Sequence, residues 1–267
     1  MIGFNKLGNN GHVGNQMFQY AGLLGIALHN NYEWAIAPHE AFGKDYKELR
    51  SSIYNCFKIP SAKNQLLIDG PEVLEPTPCF SEDLFNNCPD NITLQGYFQD
   101  EKYFRSIKDI ILNEFTFINH IEAQAKEFLD DYKSQTVSVH VRRTDYIDGP
   151  ASTNRTTTPL DYYKYAMDLF KNSTFFIFSD DINWCMEQSI FKDNNVVFPN
   201  KSAYVDLCIM SLCDHNIIAN SSYSWWASYI NKNVDKQIIA PPAKTWLDYR
   251  DASHMYLDNW TIIEYNK

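Results

Sequence analysis

The stretch Val137 to Tyr146, VSVHVRRTDY, decides how this chain is read. Val137, Val139 and Val141 alternate with smaller or polar residues as a buried strand does, and the strand ends on His140, Arg142, Arg143 and Asp145. In open α/β sheets the carboxyl ends of the strands line the ligand crevice. Two guanidinium groups delivered to that edge suit forked hydrogen bonding to a phosphate or carboxylate. The alternative is an ordinary ion pair, with one arginine facing solvent and the other held by Asp145.

Working outward from this strand, the C-terminal half is regular. Strands are expected at 136–142, 174–179, 195–198, 215–220 and 236–240, alternating with helical stretches near 160–171, 181–190, 202–213 and 222–231. Five strands with four crossovers predict an α/β domain built on a parallel sheet. Upstream, a strand over 2–6 leads through the glycine-rich loop Gly8 to Gly14 into a helix over about 16–28. Further strands are expected at 33–38 and 92–98, and helices at roughly 101–115 and 121–132. The stretch 42–89 is rich in turns, with prolines at 60, 71, 76, 78 and 89, and carries no motif. A boundary near Ser134 divides the chain into domains 1–134 and 135–267, and no internal repeat is present.

With 267 residues the chain can bury a substantial core, and 45% hydrophobic with 21% charged residues is ordinary globular usage. The 17 Tyr and 17 Phe could present flat faces to a sugar, although core packing is the safer account. A net charge of −10 without basic stripes argues against nucleic acid as a partner. The first residues show neither a signal peptide nor a transmembrane segment, so the cytoplasm is the expected location; peripheral attachment to a membrane is compatible with that. Cys56, Cys79, Cys88, Cys185, Cys208 and Cys213 form no C-x-x-C pair and no zinc-ligand spacing, which fits reduced thiols. The sequons at Asn91 and Asn172 carry no weight without a secretory route.

Three further segments place chemistry at the ends of strands. The loop running from Leu7 to Gln16 empties onto a helix N-terminus, which favours negative charge, but it lacks the dinucleotide pattern G-x-G-x-x-G. The strand Thr174 to Phe178 runs into Ser179, Asp180 and Asp181; a carboxylate there could hold a divalent metal, accept from a guanine edge, or cap the helix starting at Ile182. After the apolar run 216–219 comes Asn220-Ser221-Ser222-Tyr223-Ser224-Trp225-Trp226, a hydroxyl-rich helix start that forms another anion cradle. Capping by one serine is the simpler alternative.

The segments GNQMFQYA (Gly14 to Ala21), HVRRTDY (His140 to Tyr146), FSDD (Phe178 to Asp181) and NSSYSWWASY (Asn220 to Tyr229) closely resemble the motifs of the α-1,2-fucosyltransferases of glycosyltransferase family 11. The resemblance implies a GT-B-like fold of two Rossmann-like domains, an acceptor-side N-terminal one and a C-terminal one that binds GDP-fucose. It also implies inversion at the anomeric carbon, a galactose-terminated glycan as acceptor, no cofactor and no obligatory metal. Carried over, it has Arg142 grip the β-phosphate, His140 and Asp181 lie near the guanine, and Ser221 and Ser222 bond the diphosphate, with Gly14, Asn15 and Gln16 on the donor side. The family reads G-G-L-G-N-Q where this chain has Gly11-His12-Val13-Gly14-Asn15-Gln16, so its loop has one glycine fewer.

Arg142 is the expected cation for the leaving nucleotide. For the base that takes the acceptor's proton, Asp145 is the provisional candidate, though it could equally orient an arginine; Asp100, Glu101 and His12 are others. Two rival readings stay open. One is a different nucleotide-sugar transferase with manganese at Asp180 and Asp181, and the other a silent sugar-nucleotide or glycan-binding module.

Overall fold

Parallel β-strands build both halves of the molecule, as the alternating pattern predicts for the C-terminal half and the family resemblance for the N-terminal one. The computed structural model describes residues 1–9, 11–38, 52–148, 156–246 and 252–265; Asn10 of the glycine-rich loop and residues 42–51 of the turn-rich stretch lie outside them. The chain divides into two units, Met1–Ile118 and Asn119–Lys267.

The N-terminal unit contains β1 (Ile2–Phe4), α1 (Val13–His29), β2 (Trp34–Ile36), β3 (Glu72–Leu74), α2 (Glu82–Asn86), β4 (Thr93–Gln95) and α3 (Lys108–Glu114). Its four strands are parallel in the order β2-β1-β4-β3. Helix α1 is buried almost all round, and glycines let its backbone pack closely. A Cβ on Gly25 would stand 1.7 Å from the carbonyl oxygen of Tyr103. The helix expected over 101–115 is instead two 3-10 turns, Glu101–Tyr103 and Arg105–Ile107, followed by α3. Phe104, at φ −134°, interrupts it, because Tyr103 and Phe104 are both drawn fully into the core.

The C-terminal unit opens with α4 (Asn119–Leu129), ahead of the expected boundary at Ser134. Packing explains the difference: Phe128 and Tyr132 set their rings 5.2 and 4.8 Å from that of Phe176 in the following sheet. Then come β5 (Thr136–Val141), α5 (Thr144–Ile147), α6 (Leu160–Asp168), β6 (Thr174–Ser179), α7 (Ile182–Glu187), β7 (Val196–Val197), α8 (Ala203–Leu212), β8 (His215–Ile217), α9 (Ser222–Ile230), β9 (Ile238–Ala240) and β10 (Thr261–Ile262). All six strands are parallel, in the order β10-β9-β8-β5-β6-β7. Within the unit that is the 3-2-1-4-5-6 order of the nucleotide-binding doubly wound sheet.

Every residue of β5 is buried. Val137, Val139 and Val141 pack with Tyr162, Tyr163, Phe175 and Ile217, and Trp225 and Trp226 are buried as well, so many of the aromatics serve as core. Among the described residues no helix is long and apolar enough to cross a membrane.

Candidate active site

The strand order reverses between β5 and β8, which are hydrogen-bonded neighbours whose connections leave in opposite directions along the sheet. Sheets of this type bind ligands outside the carboxyl ends of the strands at that switch point. Here β5 delivers His140, Arg142, Arg143 and Asp145 to this edge, β6 delivers Asp180 and Asp181, and the chain after β8 delivers Asn220, Ser221 and Ser222.

Arg142 is held between two carboxylates. Its Nη2 lies 2.6 Å from Asp145 Oδ1 and its Nη1 lies 3.2 Å from Asp180 Oδ2. The contact with Asp145 is one of charge, outside hydrogen-bond angles. The Arg142 guanidinium also lies 5.6 Å from the centroid of the Tyr146 ring. Asp180 does more than balance charge: Oδ1 accepts the Arg143 N–H at 2.9 Å, and Oδ2 accepts the Thr144 N–H at 3.1 Å together with the Thr144 hydroxyl. These bonds fold the turn into α5 and thereby aim Arg142. Burial works against the charge of Asp180, but Arg142, the Thr144 hydroxyl and the Arg143 N–H together hold its carboxyl below the usual range.

Asp181 fulfils the capping alternative. Its Oδ1 accepts the Trp184 N–H at 3.3 Å at the start of α7, and its Oδ2 accepts from Arg143 Nε at 3.2 Å. The Arg143 guanidinium lies over Trp184, 3.5 Å from its ring centroid. Arg143 is therefore a brace between β5 and α7, and Arg142 is the arginine turned to the strand-end edge.

His140 is buried with Nδ1 2.9 Å from Ser224 Oγ. Burial pushes its imidazole down to about 4, against the pull of Asp180 and with the help of Arg142, so the ring is neutral at physiological pH. An unfolded chain binds that proton near the ordinary value of 6.5 and the folded one does not. Stability is therefore expected to be full above pH 6.5 and to fall, on the order of 1 kcal/mol per unit, as pH drops from there towards 4. Denaturant unfolding across this range should show the slope in the native protein and a weaker one in His140→Asn; equal slopes would contradict it.

Ser221 is the N-cap of α9, its hydroxyl accepting the Tyr223 N–H at 3.4 Å. Ser224 Oγ accepts the Ala219 N–H at 3.3 Å, which turns the chain out of the sheet earlier than the strand expected to 220. Asn220, fully buried, ties the edge together. Its Oδ1 accepts from the Thr158 hydroxyl, its Nδ2 donates to the carbonyls of Thr156 and Thr245, and its own carbonyl accepts the Tyr146 hydroxyl at 2.8 Å.

The remaining residues lie on the N-terminal unit. Gly14, Asn15 and Gln16 occupy the first turns of α1. Gln16 is buried, its amide donating to the Gly11 carbonyl and accepting the Ile53 N–H, so this side chain braces the loop; Asn15 accepts from Gln99 at 3.0 Å. Gly11 adopts φ +99°, and a Cβ there would meet the Asn15 amide at 2.0 Å. His12, by contrast, is extended at φ −83°. The glycine this chain lacks is therefore one that the backbone does not need. Asp100 accepts from the Lys102 and Phe80 N–H groups, and Glu101 pairs with Arg105.

The structure brings His140, Arg142, Asp145, Asp181, Ser221 and Ser222 to one sheet edge. What the sequence did not disclose is the part played there by Asp180, Thr144, Trp184 and Asn220; the doublet in FSDD and the asparagine opening NSSYSWW were the available signals.

Two parallel sheets in Rossmann-like units, one with paired arginines at its switch point, define the GT-B-like fold class. Solved structures of that kind include the fucosyltransferase NodZ from Bradyrhizobium (TM-score 0.54, 14% identity, 85% of this chain and 90% of that one). Another is POFUT1 in complex with GDP (TM-score 0.55, 14% identity, 86% and 93%). The chain belongs to Glycosyl transferase family 11, which it matches over residues 81–264. Its relatives include the Escherichia coli O-antigen biosynthesis glycosyltransferase WbnK, 33% identical over 67% of this chain and 64% of that protein. An Escherichia coli alpha-1,2-colitosyltransferase is 35% identical (69% and 67%), and the mouse galactoside alpha-(1,2)-fucosyltransferase 1 is 27% identical (82% and 61%). The chain thus spans about two thirds of the length of these relatives.

Proposed function

We propose that this chain transfers L-fucose from GDP-fucose to the 2-hydroxyl of a terminal galactose, with inversion and without a metal, on a surface-glycan precursor in the cytoplasm. One observation carries the reading: the Arg142 guanidinium stands at the switch point of a nucleotide-type sheet, beside the serine-capped start of α9. As the bond from sugar to phosphate breaks, negative charge grows on the departing GDP, and a fixed cation with helix N–H groups is what that charge requires. The neutral, buried His140 lies on the same edge and suits an uncharged base. The four oxygens of Asp180 and Asp181 already accept from Arg142, Arg143, Thr144 and Trp184, which favours this reading over manganese held by that pair. The solved relative with bound GDP and the mouse galactoside enzyme supply the donor and acceptor classes by analogy.

The colitosyltransferase relative supports a second reading in which the donated sugar is colitose. The deciding experiment incubates the protein with each activated sugar, a panel of β-galactosides and EDTA, followed by linkage analysis. The expected product is a 2-linked α-fucoside formed undiminished in EDTA. Loss of product in EDTA would return the metal-dependent rival, and GDP-fucose binding with neither transfer nor hydrolysis would indicate the silent module.

A further inference from the structure

Three carboxylates and two guanidiniums meet at the ends of β5 and β6: Asp145, Asp180 and Asp181 against Arg142 and Arg143. With His140 neutral, this cluster holds no surplus positive charge for a nucleoside diphosphate. An anion can engage Arg142 fully only if a carboxylate gives up its share of the guanidinium.

The structure ranks the three by how firmly each is held. Asp180 accepts from two backbone N–H groups and a hydroxyl besides Arg142. Asp181 caps α7 and pairs with Arg143, which is pinned on Trp184. Asp145 has one partner among the described residues, the Arg142 guanidinium, and its side chain is the most exposed of the three, 38% against 19% and 31%. Releasing Asp145 breaks a single contact, whereas releasing either of the others unfolds a turn or a helix start.

We propose that Asp145 is the displaceable partner of Arg142: the donor's diphosphate takes the guanidinium from it, and the freed carboxylate accepts the proton of the acceptor hydroxyl. This rests on the transferase reading given above. In the step, the acceptor O–H bond breaks and its proton passes to Asp145. The oxygen's electron pair forms the new bond at the anomeric carbon, and the carbon–oxygen bond to the β-phosphate breaks with its pair leaving on GDP, opposite Arg142. While Arg142 holds Asp145, protonating that carboxylate would dissolve the ion pair. The proton acceptor is therefore unmasked only after the donor arrives, and the kinetic order is donor first.

The test is GDP binding by calorimetry together with transfer kinetics, on the native protein, Asp145→Asn and Asp145→Ser. Removing the competing carboxylate is expected to tighten GDP binding by about three-fold or more, as turnover falls at least about ten-fold. A carboxylate that only steadies Arg142 would give the opposite sign: its loss would loosen the guanidinium, and GDP would bind more weakly. Weaker or unchanged GDP affinity in both variants, or tighter binding with native turnover, overturns the proposal. GDP binding in the variants also reports that they fold. Failure of the native protein to bind GDP at all would remove the transferase reading itself, and the exchange with it.

Discussion

Replacing Arg142 by alanine should lower turnover by about 10²- to 10³-fold, the scale of losing one donor aimed at a developing oxyanion. Affinity for GDP should weaken by about ten-fold, as expected for a charge-assisted hydrogen bond. The fold around position 142 is set by the buried strand β5 and by the bonds from Asp180 to Arg143 and Thr144, none of which the substitution removes. What it leaves is Asp145 and Asp180 without the cation that lies between them, so a diphosphate would meet uncompensated negative charge. Arg142→Lys is the informative control. One ammonium can replace the charge but cannot offer two nitrogens to separate partners, so it should recover only part of the rate. Steady-state kinetics with circular dichroism of each variant measures this, and native turnover in Arg142→Ala would end the assignment.

Asp180→Ala should cost both stability and activity. Two backbone N–H groups and the Thr144 hydroxyl lose their acceptor, and Arg142 loses one of its two anchors, in a site where both side chains are largely buried. Breaking such a pair and its cap is worth about 3 kcal/mol, and the loosened Arg142 should cost about 10²-fold in turnover. The carboxyl of Asp180 is held below its ordinary value of 3.8. Its contribution to stability is therefore complete above that pH and is lost as pH falls through the lower, folded-state value. At neutral pH the whole effect is on display. Asp180→Asn keeps an acceptor for one of the two N–H groups, which bond to different oxygens, and no charge for Arg142, so it should regain part of the stability and little of the rate. Urea unfolding and kcat on the two variants separate the roles; full activity in Asp180→Asn would mean that the ion pair does not aim Arg142.

The sequence disclosed those parts of the molecule whose cause is local. Alternation in 137–141 and the unbroken apolar run of 174–178 reported two buried strands, β5 and β6, almost to the residue, and the second reads as an unbroken run because a covered parallel sheet is packed on both faces. Strands β3 and β10 escaped notice: Glu72, Leu74, Thr261 and Ile262 are exposed, at sheet edges, and leave no periodic trace. The four-residue helix α5 was equally hidden, since its start depends on Asp180, far along the chain. The same holds for the site. The spacing of Arg142 and Asp145 could suggest a pair, but only the fold brings Asp180 to the guanidinium's other arm. Resemblance placed Gln16 on the donor side; the bonds of its buried amide to Gly11 and Ile53 are partners that only the fold reveals.

The amide of Asn220 bears on how the molecule comes to be made. It gathers Thr156, Thr158 and Thr245, and through its carbonyl Tyr146, from positions spread over most of the C-terminal unit. Contacts of such sequence separation form slowly, since long loops must close before they are rewarded. A nascent chain that has emerged only as far as α9 can hold its valine-rich strand in place, yet the knot around Asn220 waits for Thr245. A piece ending before that threonine lacks one of the acceptors that hold the Asn220 amide in place.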